Sequence, residues 1–125
     1  MQKNFIFVCD SVEIKDSNKL SAYGIFDSVG AYGFPATQKE MAIVVNIEVE
    51  ENQRNKSHTE RFEIIYDGKY IIGRDTEFNP TSPRHQFLHK VENVLFPEEG
   101  KYVVRISIDG KTIGESYFLV KQVEK

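Results

Sequence analysis

The chain has 125 residues and a formal net charge of −3, and 40% of the residues are hydrophobic, 28% charged and 12% aromatic. This length fits one domain, which we place at residues 1–125, and such a chain buries about two-thirds of its unfolded surface. The 16 basic residues are scattered among 19 acidic ones. That distribution argues against a nucleic-acid partner, because neutralising phosphates takes clustered Lys and Arg.

The only cysteine, Cys9, excludes an intramolecular disulfide. The apolar run at the N-terminus covers Phe5 to Cys9, which is shorter than a secretory signal core of about 7–15 residues. No segment of the sequence approaches the length of about 20 apolar residues that spans a bilayer. We therefore expect a cytoplasmic protein with no membrane partner, in which Cys9 is a reduced core residue because its neighbours are apolar.

Strand-like runs separated by turn residues fill the first half of the chain. Residues 4–9 form the first run, and a polar turn at 15–19 leads into a second run at 20–26. Residues 28–36 contain two glycines and a proline, which is typical of a crossing loop. Residues 41–49 alternate between apolar and polar side chains, so they predict a half-buried strand.

The second half continues the same pattern. Strands are predicted at 59–66 and 69–72, joined by the two-residue turn Asp67-Gly68. Residues 73–84 hold two prolines and predict the longest irregular segment of the chain. The stretch after it, residues 85–96, matches a helical stripe better than strand alternation, but it is short, no cap residue immediately precedes it, and every other element is predicted to be β. We therefore predict a strand over 84–92, followed by a turn or a single helical turn before Pro97.

The last hairpin turns at Asp109-Gly110, and the Gly-x-Tyr sequence that leads into it is typical of the tyrosine corner of immunoglobulin-like sandwiches. A regular ladder through this hairpin would place Glu115 against the core. One extra residue would return Phe118 and Val120 to the apolar face. We therefore predict a β-bulge at Gly114-Glu115.

These elements predict an all-β fold, a single-domain antiparallel β-sandwich of seven to eight strands that is immunoglobulin-like or a close variant. The predicted core consists of Phe5, Phe7, Leu20, Phe26, Ile43, Val45, Ile47, Phe62, Ile64, Tyr102, Val104, Ile106 and Phe118.

Several short motifs are shared with a known family. They are Phe5 with Cys9-Asp10, the segments 19–20 and 24–27, Phe34-Pro35-Ala36, and the turn 96–102 with Asp109-Gly110 after it. In these motifs the chain resembles a family of small bacterial proteins that is classified as a domain of unknown function. The resemblance implies a β-sandwich with an immunoglobulin-like appearance. It implies no activity, since the family offers no established catalytic or binding residues to carry over.

His85 and His89 have the H-x-x-x-H spacing of helical zinc sites. On a strand, however, the two side chains share a face about 13 Å apart and cannot bind one metal together. Gln86 also stands where a metalloprotease motif has its glutamate. We therefore expect no metal, and we interpret the pair as partly exposed strand histidines beside Phe87.

Catalytic motifs are equally weak. Ser82, His85 and Asp75 lie close in sequence, but no nucleophile elbow or Cys–His signature accompanies them. We expect neither an enzyme nor a cofactor.

The remaining hypothesis is a non-enzymatic protein-interaction or assembly module that uses its sheet edges or end loops to contact an unidentified protein partner. A homodimer is one form that such a module could take. The alternative is a β-sandwich that binds a small ligand or carbohydrate on an aromatic concave face. The residues predicted to contact a partner or ligand are Tyr23, Tyr32, Phe34, Arg84, His85 and His89. For Phe34 we favour a second interpretation, in which Phe34-Pro35 plugs one end of the sandwich.

Overall fold

The computed structural model describes residues 1–15 and 19–124, so the predicted turn at 15–19 lies mostly outside the described residues. The described residues form nine strands: β1 (Gln2–Lys15), β2 (Lys19–Ile25), β3 (Ser28–Ala31), β4 (Ala36–Glu48), β5 (His58–Tyr66), β6 (Lys69–Phe78), β7 (Arg84–Phe96), β8 (Gly100–Ile108) and β9 (Lys111–Gln122). A short 3-10 helix, Glu51–Gln53, follows β4.

The strands pair in two sheets. The first sheet has the order β2-β1-β4-β7, and the second has the order β3-β9-β8-β5-β6. The predicted all-β sandwich is confirmed, and these strand orders are consistent with an immunoglobulin-like arrangement. Two details of the prediction were wrong. The described strands number nine rather than seven or eight, and residues 28–31 form the edge strand β3, which pairs parallel to β9, instead of part of a crossing loop.

The core lies between the sheets and matches most of the predicted set. Met41, Ile43, Val45 and Ile47 of β4 are fully buried. They pack against buried side chains of the second sheet, which include Phe62, Ile64, Tyr102, Val104, Ile106 and Phe118.

Four predicted core residues are less buried than expected. Phe5 is 40% exposed, and Phe7, Leu20 and Phe26 are half-buried. Phe7 pairs with Val44, which alternates with the core residues of β4 and therefore lies on the outer face of the first sheet. A second, smaller cluster forms on that side, built around Cys9, Val12, Ala42 and Val44 with Phe7, Leu20, Ala22 and Leu88 packed against it.

Two strands extend further than predicted. β6 continues to Phe78, because its residues remain paired with β5 as far as His58. β7 continues to Phe96, and its residues pair with β4 on both sides of Asn93. Asn93 adopts a φ of 54° within β7, and the inward-facing positions change parity there, so that both Val91 and Val94 are buried. This change of parity is the physical reason for the helix-like apolar spacing of the segment.

The last hairpin contains the predicted tyrosine corner and bulge. The Tyr102 hydroxyl donates to the carbonyl of Glu98 at 2.6 Å, four residues upstream. Ser107 pairs with Thr112 and Ile106 with Gly114, so Ile113 is the extra residue. The bulge therefore lies one position before the predicted one, and it returns Phe118 and Val120 to the core as expected.

Candidate functional site

The residues predicted to contact a partner divide between separate parts of the fold. His85 and His89 lie on β7 and line one common cleft, whereas Arg84, Tyr23, Tyr32 and Phe34 do not line it. The side chain of Phe34 is half-buried and packs against the main core, as in the plug interpretation. Tyr23 donates to the Glu13 carboxylate at 3.0 Å, and Tyr32 is 64% exposed.

The common cleft, here named the β6–β7 cleft, is an open depression of about 490 Å³. β7 is one of the two edge strands of the first sheet and β6 one of the two edge strands of the second. The cleft therefore lies on the side of the sandwich where the edges of β6 and β7 face each other, which is here called the open side. Its lining residues are Arg74, Thr76, Glu77, Phe78, Asn79, His85, Gln86, Phe87, Leu88 and His89.

The floor of the cleft is aromatic. Along β7, His85, Phe87 and His89 occupy alternate positions and therefore share the inner face of the strand. The Phe78 ring of β6 lies 4.8 Å from Phe87 in an edge-to-face contact at 87°, and 4.9 Å from His85. Edge-to-face contacts of this kind stabilise aromatic clusters.

Below the floor, a buried hydrogen bond joins the two sheets. His89 Nε2 lies 2.7 Å from Glu60 Oε2, and the residues are 4% and 0% exposed. Glu60 belongs to β5 of the second sheet and His89 to β7 of the first. The second carboxylate oxygen, Glu60 Oε1, has no hydrogen-bond partner within the described ranges. The His89 ring also packs on Phe62, with 4.5 Å between centroids.

The ionisable side chains that line the cleft are Arg74, Glu77, His85 and His89. Burial lowers the pKa of His85, against a smaller opposing effect of the Glu60 carboxylate, so His85 is mainly neutral at pH 7. Arg74 of β6 lies over the Phe62 ring, 5.3 Å from its centroid, and donates from Nη2 to the Lys90 carbonyl at 3.3 Å. Arg74 therefore connects the edges of β6 and β7 and closes one end of the cleft.

This contact of Arg74 also shows how the backbone of β7 is oriented. Because the Lys90 carbonyl is reached from β6, it points away from β4, the neighbour of β7 within its sheet. In an antiparallel strand, alternate residues direct both backbone groups to the same side. The N–H and C=O groups of Gln86 and Leu88 therefore also point outward, along the open side of the sandwich.

Sequence reasoning missed Arg74, Phe78 and Glu60. Glu60 alternates with Phe62 and Ile64, which face the core, and a carboxylate at a core-facing position is a signal that the sequence offers. Arg74 and Phe78 fell inside the segment that was predicted to be irregular.

The described residues can also be compared with the metal site and the catalytic triad that were considered from the sequence. Within residues 1–15 and 19–124, no group of three or more His, Cys, Asp or Glu side chains is arranged to hold a metal ion. Ser82 donates to the Arg84 carbonyl, and Asp75 forms an ion pair with Arg61. Both are thus engaged away from His85.

The fold and the cleft together define an all-β sandwich with a polar, aromatic-floored opening between its sheet edges. The chain belongs to the family of unknown function DUF6941, whose sequence profile matches residues 4–121. No curated protein matches it. Among the residues that the structure describes, no helix has the length and apolar character needed to cross a membrane.

Proposed function

We propose that this protein is a non-enzymatic interaction module that binds an extended segment of another protein by strand addition at the edge of β7. The observation that carries this proposal is the outward direction of the Gln86 and Leu88 backbone groups at the edge of the first sheet, directly beside the β6–β7 cleft. In strand addition, main-chain hydrogen bonds provide affinity and pockets for alternate side chains provide specificity.

The side chains of the cleft support binding rather than catalysis. His89 already bonds Glu60, and the neutral His85 ring packs between Phe78 and Phe87. A His–carboxylate pair such as His89 and Glu60 acts in covalent catalysis only beside a nucleophile, and the described lining of the cleft contains no Ser or Cys. An aromatic floor with a polar rim is instead typical of a pocket that accepts a side chain of a partner.

A small ligand or carbohydrate is the second candidate, favoured by a row of side chains on the outer face of the second sheet. Tyr70, Ile65, Val103 and Tyr117 are direct cross-strand neighbours in that order. Tyr70 and Tyr117 are 67% and 55% exposed. At about 4.8 Å per strand, the row is about 14 Å wide, and exposed aromatic rings of this kind can stack on sugar rings.

We further propose that the protein acts in the bacterial cytoplasm. The proposal is supported by Cys9, which is unpaired and buried, and by its high thiol pKa. Burial and, to a smaller extent, the neighbouring Asp10 carboxylate raise that pKa, which keeps the thiol protonated and unreactive.

A displayed library of random twelve-residue linear peptides tests the strand-addition proposal. Peptides selected on the wild-type protein are compared on Gln86→Pro and Gln86→Ala. Both variants lose the contact between the Gln86 side chain and Asn46, but only the proline variant loses the outward N–H. Proline is tolerated at such edge positions because it breaks no ladder bond.

The proposal predicts that the selected peptides bind the wild type and Gln86→Ala with similar affinity and bind Gln86→Pro at least about tenfold more weakly, which corresponds to about 1.4 kcal/mol. Peptides that bind both variants equally, or a selection that yields no binder, would contradict it.

A further inference from the structure

We infer that the partner segment places an aromatic side chain in the β6–β7 cleft, an aliphatic side chain on the adjacent outer face, and a carboxylate beside Lys90. This inference rests on the proposed strand addition at β7 and specifies the chemistry of the segment. In an added antiparallel strand, successive residues alternate between the two faces. Each of the three positions can therefore be argued separately.

The inward position is opposite Phe87. A residue there points toward the floor formed by Phe78, His85 and Phe87, whose ring centroids lie 4.8–4.9 Å from one another. The cleft volume of about 490 Å³ leaves room for a large side chain. Burial favours the neutral form of His85 by lowering its pKa, which lets the imidazole pack against an apolar ring. These features favour an aromatic residue, the residue type that most often anchors protein interfaces.

The outward position is opposite Leu88. Leu88 pairs with Val44 and Val44 with Phe7, so an apolar row crosses three strands of the first sheet and ends at the edge of β7. Leu88 and Phe7 are only partly buried where they pack on the outer cluster. Because cross-strand apolar pairs stabilise a sheet, an aliphatic residue opposite Leu88 would extend this row by one strand.

The third position is opposite Lys90, on the same outer face as Leu88. Lys90 is exposed and forms no ion pair within the described part of the chain. The Arg74 guanidinium reaches the Lys90 carbonyl from the cleft side, whereas the Lys90 side chain lies on the outer face with Leu88. Glu77, the acidic lining residue, alternates with Thr76 and Phe78 along β6, so its side chain points to the opposite face. Glu92 and its partner Glu40 lie on the same outer face two positions along the strand, so the position directly opposite Lys90 is the one whose charge complements a carboxylate of the segment.

In the antiparallel direction, these positions give the order acidic, small, aliphatic, aromatic. The small residue is opposite His89, where Arg74 narrows the cleft. The probe is a fluorescently labelled peptide with blocked ends and the sequence Thr-Glu-Ser-Val-Tyr-Val-Thr. Its matched control exchanges the first Val with Tyr, which keeps the composition and places the aromatic ring on the outer face.

Fluorescence anisotropy should show that the exchanged control binds at least about tenfold more weakly than the probe, the usual loss at an interface anchor. Lys90→Glu should weaken the probe about two- to fivefold, as expected for an exposed ion pair. A probe with Lys in place of its Glu should recover binding to Lys90→Glu by the same factor. Equal binding of the probe and the exchanged control would overturn the inference.

The outcomes of these experiments distinguish a failure of this inference from a failure of the proposed strand addition at β7. Library peptides whose binding is abolished by Gln86→Pro would support strand addition. If none of those peptides has the order acidic, small, aliphatic, aromatic, the inferred chemistry of the partner segment is wrong. If the probe binds with equal affinity to Gln86→Pro and Gln86→Ala, it binds elsewhere and both are wrong. A second copy of this chain as the occupant would appear as a protein dimer that the probe dissociates, which would also overturn the inference.

Discussion

His58 is held between two hydrogen-bond acceptors. Its Nδ1 lies 2.7 Å from the Asp109 carboxylate, and its Nε2 lies 2.7 Å from the Gln53 carbonyl. Because neither acceptor carries a proton to donate, both ring nitrogens must be protonated to satisfy the geometry. Asp109 also accepts the Thr59 N–H at 2.9 Å. This one imidazolium therefore connects the 3-10 helix, the start of β5 and the last hairpin turn.

Stability should accordingly depend on pH through this pair. The bonds to Asp109 and then to Gln53 raise the pKa of His58 above its ordinary value of 6.5. The contribution of His58 is therefore complete below pH 6.5 and is lost as the pH rises through the higher folded-state pKa. The bonds from His58 and Thr59 lower the pKa of Asp109 below 3.8. The contribution of Asp109 is therefore present above pH 3.8 and is lost as the pH falls through the lower folded-state pKa.

Urea unfolding of the wild type and His58→Gln at pH 5.5 and pH 8.5 checks this expectation. The difference in unfolding free energy between the two proteins should be larger at pH 5.5 than at pH 8.5. The comparison with the variant cancels the other titrating groups, so an equal difference at both pH values would show that His58 is not charged in the folded protein.

Tyr102 and Tyr66 form a natural pair for testing the tyrosine corner. Their rings stack with 4.5 Å between centroids, and each hydroxyl donates to a backbone carbonyl. Tyr102 is fully buried, however, whereas Tyr66 is only half-buried. Tyr102→Phe should lower the free energy of unfolding by about 1–2 kcal/mol, and Tyr66→Phe by less than about 1 kcal/mol, because water can replace its bond. Equal losses in urea unfolding would argue against a special role for the corner.

At the scale of elements, the bond between His89 and Glu60 links β7 to β5 across the two sheets. The Glu60 side chain is fully buried and that of His89 is only 5% exposed, so Glu60 depends on His89 for its hydrogen bond. Buried pairs of this kind are costly to break, although replacing both members by apolar residues is often neutral or stabilising.

A double-mutant cycle tests this dependence. His89→Leu should destabilise the protein by about 3–5 kcal/mol, because Glu60 is left buried without a partner. The double variant His89→Leu/Glu60→Met should be more stable than His89→Leu alone, since the stranded carboxylate is gone. Urea unfolding measures the free energy of unfolding of the two single variants, His89→Leu and Glu60→Met, and of the double variant. A double variant whose loss of stability equals the sum of the two single losses would contradict this account of the pair.

Local patterns in the sequence were sufficient to predict most of the strands and turns, but they did not predict the β6–β7 cleft. Alternation identified β4 and β5, and the turns at Asp67 and Asp109 were recognisable because both residues favour positive φ with a glycine following. The change of parity at Asn93 resembled a helical stripe and hid the end of β7. The cleft could not be predicted, because which strands become edges depends on pairings between distant residues, such as those of β4 with β7.

At the scale of the whole molecule, the Arg74 side chain bridges the β6–β7 cleft at one point along the edge of β7. Arg74 joins the two sheet edges at Lys90 and so divides the edge of β7 into two short stretches, of which the one before Lys90 carries the outward groups of Gln86 and Leu88. A stretch this short suits the addition of a partner segment better than the pairing of two complete β7 strands in a dimer. The unpartnered protein should therefore be a monomer.

Light scattering coupled to size exclusion at two concentrations checks this expectation. The mass should stay near 14.4 kDa at both concentrations, because the free edge is too short for a standard interface of about 800 Å² per partner. A stable mass of twice that value would show that a second copy covers an edge or a face.

The most direct test of strand addition is amide hydrogen exchange, followed by NMR, with and without a library-selected peptide. We predict that the amides of Gln86 and Leu88 exchange rapidly in the free protein and slow at least about tenfold on binding, because hydrogen-bonded strand amides are protected from exchange. The amide of Phe87, which faces β4, should be slow in both states. If peptide binding instead protects amides beside Tyr70 and Tyr117 and leaves Gln86 and Leu88 unchanged, the binding surface is the outer face of the second sheet and the edge of β7 is not the site.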